Sequence, residues 1–319
     1  AALALIACAP QRAFVPPPTA VRAATPTPAP APIEEVVRPA AGPYTVVALA
    51  DAPSGGGLSP PRINNHGVVV WTVGFTLQSN DPRITARGGL IAGPDLNDRG
   101  LVVWQQAVDA AATPDGWEVY ADGARLTHND RFDGEPHVTD DGEVVWVSTT
   151  GVRSSRRRLE LQVDGAASLA VSGRGELVFR AGAGATSRIV SSERGVLGRG
   201  DHPAVNRCGE VVWMTLEVED GEHQLVSSVR GPLGAGAHPS INDAGTIAFT
   251  RLEGGRRQLV ALRAGALVAV APGFEVPYAV DLNDRGEIAF IGQSPRQFGV
   301  FVARPKAAEG EGCSERPLR

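Results

Sequence analysis

One eleven-residue pattern occurs seven times in this chain. Its copies are PRINNHGVVVW, ending at Trp71; PDLNDRGLVVW, ending at Trp104; PHVTDDGEVVW, ending at Trp146; LAVSGRGELVF, ending at Phe179; PAVNRCGEVVW, ending at Trp213; PSINDAGTIAF, ending at Phe249; and VDLNDRGEIAF, ending at Phe290. The shared glycines are Gly67, Gly100, Gly142, Gly175, Gly209, Gly245 and Gly286, so successive copies lie 33, 42, 33, 34, 36 and 41 residues apart. A period of this size marks units that bury their apolar faces only by stacking on one another.

Within a copy, residues before the turn alternate in character, and one apolar slot is held by Ile63, Leu96, Val138, Val171, Val205, Ile241 and Leu282. After the glycine comes a β-branched run that ends in one large ring, a filler for the layer between neighbouring sheets. Two further strand signals recur between copies: QLVALR and ALVAVA in the sixth, HQLVSSVR and GPLGAG in the fifth, RLELQV and AASLAV in the third. Each unit therefore reads as a four-stranded antiparallel meander of about 35–40 residues, the size of a propeller blade.

The two ends of the repeat region fit each other. After the seventh copy, FGVFVAR (Phe298 to Arg304) supplies a third strand and no fourth, while YTVVALA (Tyr44 to Ala50) precedes the first copy without a blade of its own. Pairing them removes an open sheet edge. The expected fold is an all-β, seven-bladed propeller over 44–304, closed by an N-terminal strand that completes the last blade.

Outside the repeats, residues 1–8 end in LIAC, with the apolar, small and Cys pattern of a bacterial lipobox, so Cys8 is the expected lipidation site at the end of a signal-peptide remnant. Residues 9–43 hold ten prolines and nine alanines and read as a disordered linker, extended to roughly 100 Å at ~3.1 Å per residue. Residues 305–319 read as a flexible tail. A net charge of −5 with no basic stripe argues against nucleic acid, and the basic run at Arg156 to Arg158 reads as a solvated loop. Cys208 and Cys313 remain as a possible disulfide pair in an exported protein.

The repeat resembles that of TolB-type propellers (the WD40-like or PD40 class), in which a Pro, an apolar residue, a Ser-Pro-Asp-Gly-like turn and an IAF strand recur, and the IND-x-G repeats of secreted bacterial HAF-type proteins. Here the Pro before the Asp is absent, and a Pro-rich linker stands where TolB carries an α/β domain. The resemblance implies a propeller and leaves TolB's role in envelope transport as an analogy of fold.

The Asn-Asp-x-Gly turns also invite a calcium reading. Their acidic slot, however, is shared by Asn65, Asp98, Asp140, Gly173, Arg207, Asp243 and Asp284, and a calcium site needs six to eight converging oxygens. Turn geometry accounts for them, with Asn capping and Gly at positive φ. At the channel end where blades begin, Arg62, Asp95, His137, Ser240 and Asp281 project from first strands, and His202 and His238 each precede a proline. Arg62, Asp95, His137, His202, His238 and Asp281 are the candidate rim binding residues, with no metal or cofactor expected. No G-x-S-x-G, H-E-x-x-H, C-x-x-C or phosphate-binding loop is present. The expectation is a monomeric, non-enzymatic envelope lipoprotein, anchored by lipid, that presents its propeller to an envelope protein or glycan. The alternatives are a hydrolase or lyase working at the channel mouth and a structural surface protein without a specific ligand.

Overall fold

The computed structural model describes residues 42–307 and the strand Glu35–Val37, apart from positions 53–56, 85–86, 88, 109–115, 130, 158, 160, 162, 220–221 and 277–278. Seven antiparallel sheets follow one another along the chain. Their innermost strands are Arg62–Ile63, Ile91–Leu96, Asp133–Val138, Ala167–Val171, Asp201–Val205, Ala237–Ile241 and Val280–Leu282. Each leads through the repeat turn into the strand that carries the aromatic residue. All seven turn glycines have φ between +76° and +87°, where a Cβ is strained. Among the described residues there is no α-helix, and no helix is long and apolar enough to cross a membrane.

Among the described residues, blades two, four, five and six have four strands, blades one and three have three, and blade seven has five. In blade seven Tyr44–Asp51 runs antiparallel to Phe298–Pro305, from Tyr44 opposite Pro305 to Asp51 opposite Gly299. Glu35–Val37, inside the stretch expected to be linker, pairs with Val46–Ala48 on the outer side. Cys8, Cys313 and the rest of the leader and tail lie outside the described residues.

Blade three differs from the sequence reading. Its third strand is Gly151–Ser154, joined to Val144–Ser148 by a Thr149-Thr150 hairpin, and Ala167–Val171 opens blade four. The polar run STTGVRSS conceals that strand. Leu161 lies outside it and accepts a bond from Val152 N–H at 3.2 Å. A Cβ on Gly151 would come within 2.0 Å of the Leu161 carbonyl oxygen, so only glycine admits this approach.

An apolar cluster fills each seam between adjacent blades. At the seam between blades seven and one, Ile63, Val69 and Trp71 pack on Ala289, Ile291, Val300 and Val302. Polar ties repeat across the seams as well. The Asn64 side chain accepts from His66 and Val68 N–H in its own turn and donates to Asn97 O in the next blade. Asn97 donates to Thr139 O, Asn206 to Asn242 O, Asn242 to Asn283 O, and Asn283 to Asn64 O, at 2.9–3.1 Å. The belt lapses only at Thr139 and Ser172, which have no side-chain amide.

A second tie corrects the solvated reading of the basic run. Arg157 bonds buried Glu143 at 2.7 Å and reaches the Gly175 carbonyl of blade four; Arg230 joins Glu210 to the Gly245 carbonyl of blade six in the same way. Arg156 remains half exposed against Asp141.

Candidate functional site

The seven first strands line a channel with a cavity of about 270 Å³. One residue per blade forms the layer that faces it: the polar Asp281, Arg62, Asp95 and His137 from blades seven, one, two and three, then Ala170, Ala204 and Ser240 from blades four, five and six. Alternation along the strand turns these side chains inward while the next residue enters the seam. Asp281 accepts from Ile63 N–H at 2.9 Å and from the Arg62 guanidinium at 3.5 Å. Asp95 accepts from Val138 N–H at 3.0 Å and lies 3.2 Å from His137 Nδ1. Burial alone would raise the Asp95 carboxyl; the His137 contact, with Arg62 nearby, holds it below the usual range. Burial raises Asp281, and Arg62 only partly offsets this.

The structure thus brings four of the six sequence-derived candidates onto one wall. The other two, His202 and His238, stand at the channel mouth on the side where blades begin. There Pro61, Pro94, Pro136, Pro203 and Pro239, with Leu169 and Val280, form an apolar collar around a cavity of about 320 Å³. Just before the collar residue, five consecutive blades place Gly93, Glu135, Ser168, His202 and His238 at φ of +48° to +53°. The first-to-second strand register shifts at each of these points, so every one is a β-bulge. A left-handed conformation is uncommon for Glu, Ser or His and marks backbone strain of the kind found at functional sites.

The rings of His202 and His238 meet edge to face, with centroids 4.8 Å apart. Both Nδ1 atoms are buried without a hydrogen-bond partner; His202 Nδ1 lies 3.4 Å from Asp201. Burial, then the neighbouring His202 and Arg257, pushes His238 down to about 4. Sequence reading overlooked Glu135 and Ser168, although both occupy the slot before the collar residue that His202 and His238 share.

At the opposite end, the acidic slot forms a ring. Asn65 N–H donates to Asp98, Asp284 N–H to Asn65 Oδ1, Asp243 N–H to Asp284 and Arg207 N–H to Asp243, at 2.7–2.8 Å. These residues hold neighbouring blades together as well as shaping their own turns. Burial and nearby Asp98 raise Asp140; burial and nearby Asp284 raise Asp243. Among the described residues no cluster of three or more His, Cys, Asp or Glu has a geometry for a metal ion. A wider cavity of about 660 Å³ at the seam of blades one and two contains none of the six candidates; Arg87 covers Trp104 there, 5.4 Å from the ring centroid.

No protein-family model and no curated protein sequence matches the chain. Solved propellers do. The acylaminoacyl peptidase of Pyrococcus horikoshii superposes with a TM-score of 0.58 at 9% identity, over 80% of this chain and 53% of the peptidase. Virginiamycin B lyase of Staphylococcus aureus superposes with a TM-score of 0.51 at 10% identity, over 82% of this chain and 99% of the lyase. TolB of Acinetobacter baumannii gives 0.42 at 10% identity, over 82% and 66%. This chain spans about half the length of the peptidase, and at such identities the likeness is one of fold.

Proposed function

We propose that this chain is a lipid-anchored binding protein of the bacterial cell envelope whose propeller offers the collared mouth of its channel to an envelope protein or glycan. The observation that carries the reading is the run of left-handed residues at that mouth. Four non-glycine residues in blades three to six, Glu135, Ser168, His202 and His238, hold a costly backbone conformation on one rim of an apolar collar. Strain repeated at equivalent positions with differing polar side chains fits selection for what those side chains touch. An apolar ring with a few polar groups also suits recognition.

Capture from envelope extracts with wild type and with a His202→Ala/His238→Ala double variant tests this. A partner retained by wild type and lost by the variant supports the reading; equal capture moves the contact elsewhere, and no capture favours a structural surface protein. Anchoring is tested separately by labelling cells with a lipid analogue, where the Cys8→Ala chain is expected to remain unlabelled.

A second reading, a hydrolase or lyase, is favoured by one contact. Asp95 orients His137 at 3.2 Å as an acid-base pair would be oriented, and His137 also lines the mouth cavity. Turnover of an ester or lactone panel by wild type, abolished in His137→Ala, would replace the binding reading.

A further inference from the structure

The first strands repeat one hydrogen-bonding arrangement, and four seams do not complete it: the preceding blade brings Arg62 to Leu96, His137 to Val171, and an alanine to each of Val205 and Ile241. Ile63, Val138 and Leu282 stand opposite Val69, Val144 and Ile288 of their second strands. Their N–H groups turn away from their own sheet toward the channel, where each donates to a side chain of the preceding blade: Ile63 to Asp281 at 2.9 Å, Val138 to Asp95 at 3.0 Å, Leu282 to Ser240 Oγ at 3.2 Å. Val205 and Ile241 share that register, opposite Val211 and Ile247. For them the preceding blade supplies Ala170 and Ala204. Two neighbouring amides are therefore directed into the channel beside methyl groups, in positions where other seams bring a carboxylate.

The molecule itself thus shows which chemistry suits this wall: a carboxylate accepting from one or two backbone N–H groups. The facing wall has the opposite character. Asp281 and Asp95 flank Arg62, whose contact with Asp281 is a long 3.5 Å, and the ring of Asp98, Asp140, Asp243 and Asp284 lies further along the same channel. A bare anion would meet net repulsion there, whereas a ligand with both a carboxylate and an ammonium group satisfies both walls.

We propose that the channel is a subsite for a small zwitterion of the amino-acid type, with its carboxylate on the Val205 and Ile241 amides and its ammonium toward Asp95 and Asp281. The proposal rests on the reading that the collared mouth faces a ligand, and it names what passes through that mouth.

Calorimetric titration of the full chain with glycine, acetate and methylammonium tests it. Glycine is expected to bind, with the two single-pole probes at least about tenfold weaker. Ala204→Asp recreates within the chain the arrangement of Asp95 and Asp281, so it should weaken glycine at least about tenfold while keeping the wild-type melting temperature. Ala170→Asp makes the same substitution at the Val205 amide and decides the matter if the first variant does not fold. Wild type that binds no glycine, probes that bind equally well, or folded Asp variants that bind glycine like wild type would each overturn the proposal. Loss of glycine binding alongside intact, His202- and His238-dependent capture of an envelope partner would overturn the subsite alone and leave the binding reading standing.

Discussion

Asn97 shows how much one amide contributes at the residue scale. Its Oδ1 accepts from Arg99 and Leu101 N–H, each at 3.0 Å, and its Nδ2 donates to Thr139 O in the next blade. Asn97→Ala should therefore cost about 1–3 kcal/mol, read as a lower urea midpoint, because buried backbone groups lose partners on both sides of a seam. The converse applies at Ser172, which caps Glu176 N–H but lacks the carboxamide that donates across the other seams. Ser172→Asn is expected to stabilise the fold by roughly 0.5–1.5 kcal/mol, read as a higher urea midpoint. His238 supplies a pH dependence. Its folded value of about 4 lies below the ordinary 6.5, because burial penalises the charged ring. The unfolded chain thus takes up the proton first, and the stability of the neutral ring, complete above about pH 6.5, is lost as pH falls toward 4. Melting temperature followed from about pH 7.5 to pH 4 should fall more steeply for wild type than for His238→Gln; the raised Asp140, Asp243 and Asp281, which act in the opposite direction, are common to both proteins.

At the scale of elements, the strand Tyr44–Asp51 makes the clearest prediction. Deleting Tyr44 to Ala50 strips the outer partner from Phe298–Pro305 and removes Tyr44, Val46 and Ala48 from the core shared by blades six and seven. A fall of many degrees in melting temperature is expected, and an unchanged value would deny that strand any part in closing the ring. Inner strands were legible in the sequence because two signals coincide there, alternation before the turn and a β-branched run after it. Outer strands such as Gly195–Arg199 and Gly231–Ala235 bury little and leave a weak pattern, and Gly151–Ser154 hid in a polar run. The site was legible to the same depth. Arg62, Asp95, His137 and Asp281 follow from alternation, whereas Glu135 and Ser168 depend on a bulge that no residue preference announces. Only their alignment with His202 and His238 could have revealed them.

On the scale of the whole molecule, every blade has two neighbours and no seam is terminal. Trp71→Ala at the seam of blades seven and one and Phe179→Ala, which empties the seam of blades three and four, should each cost about 3–5 kcal/mol and shift a single unfolding transition; separate transitions would mean that the blades melt independently. The same likeness to peptidase and lyase propellers places no chemistry in this ring, since a shared disc does not carry a shared site. The pairing of Tyr44–Asp51 with Phe298–Pro305 also sets an order of events. Tyr44–Asp51 leaves the ribosome before any of the seven repeat turns, and its partner follows only after the seventh. Until Phe298–Pro305 is made, the edge of Tyr44–Asp51 that faces it must wait unpaired, with only Glu35–Val37 on the other edge. A chain cut short anywhere before Phe298 keeps that edge for good, so quality control could distinguish complete from incomplete molecules by this one strand.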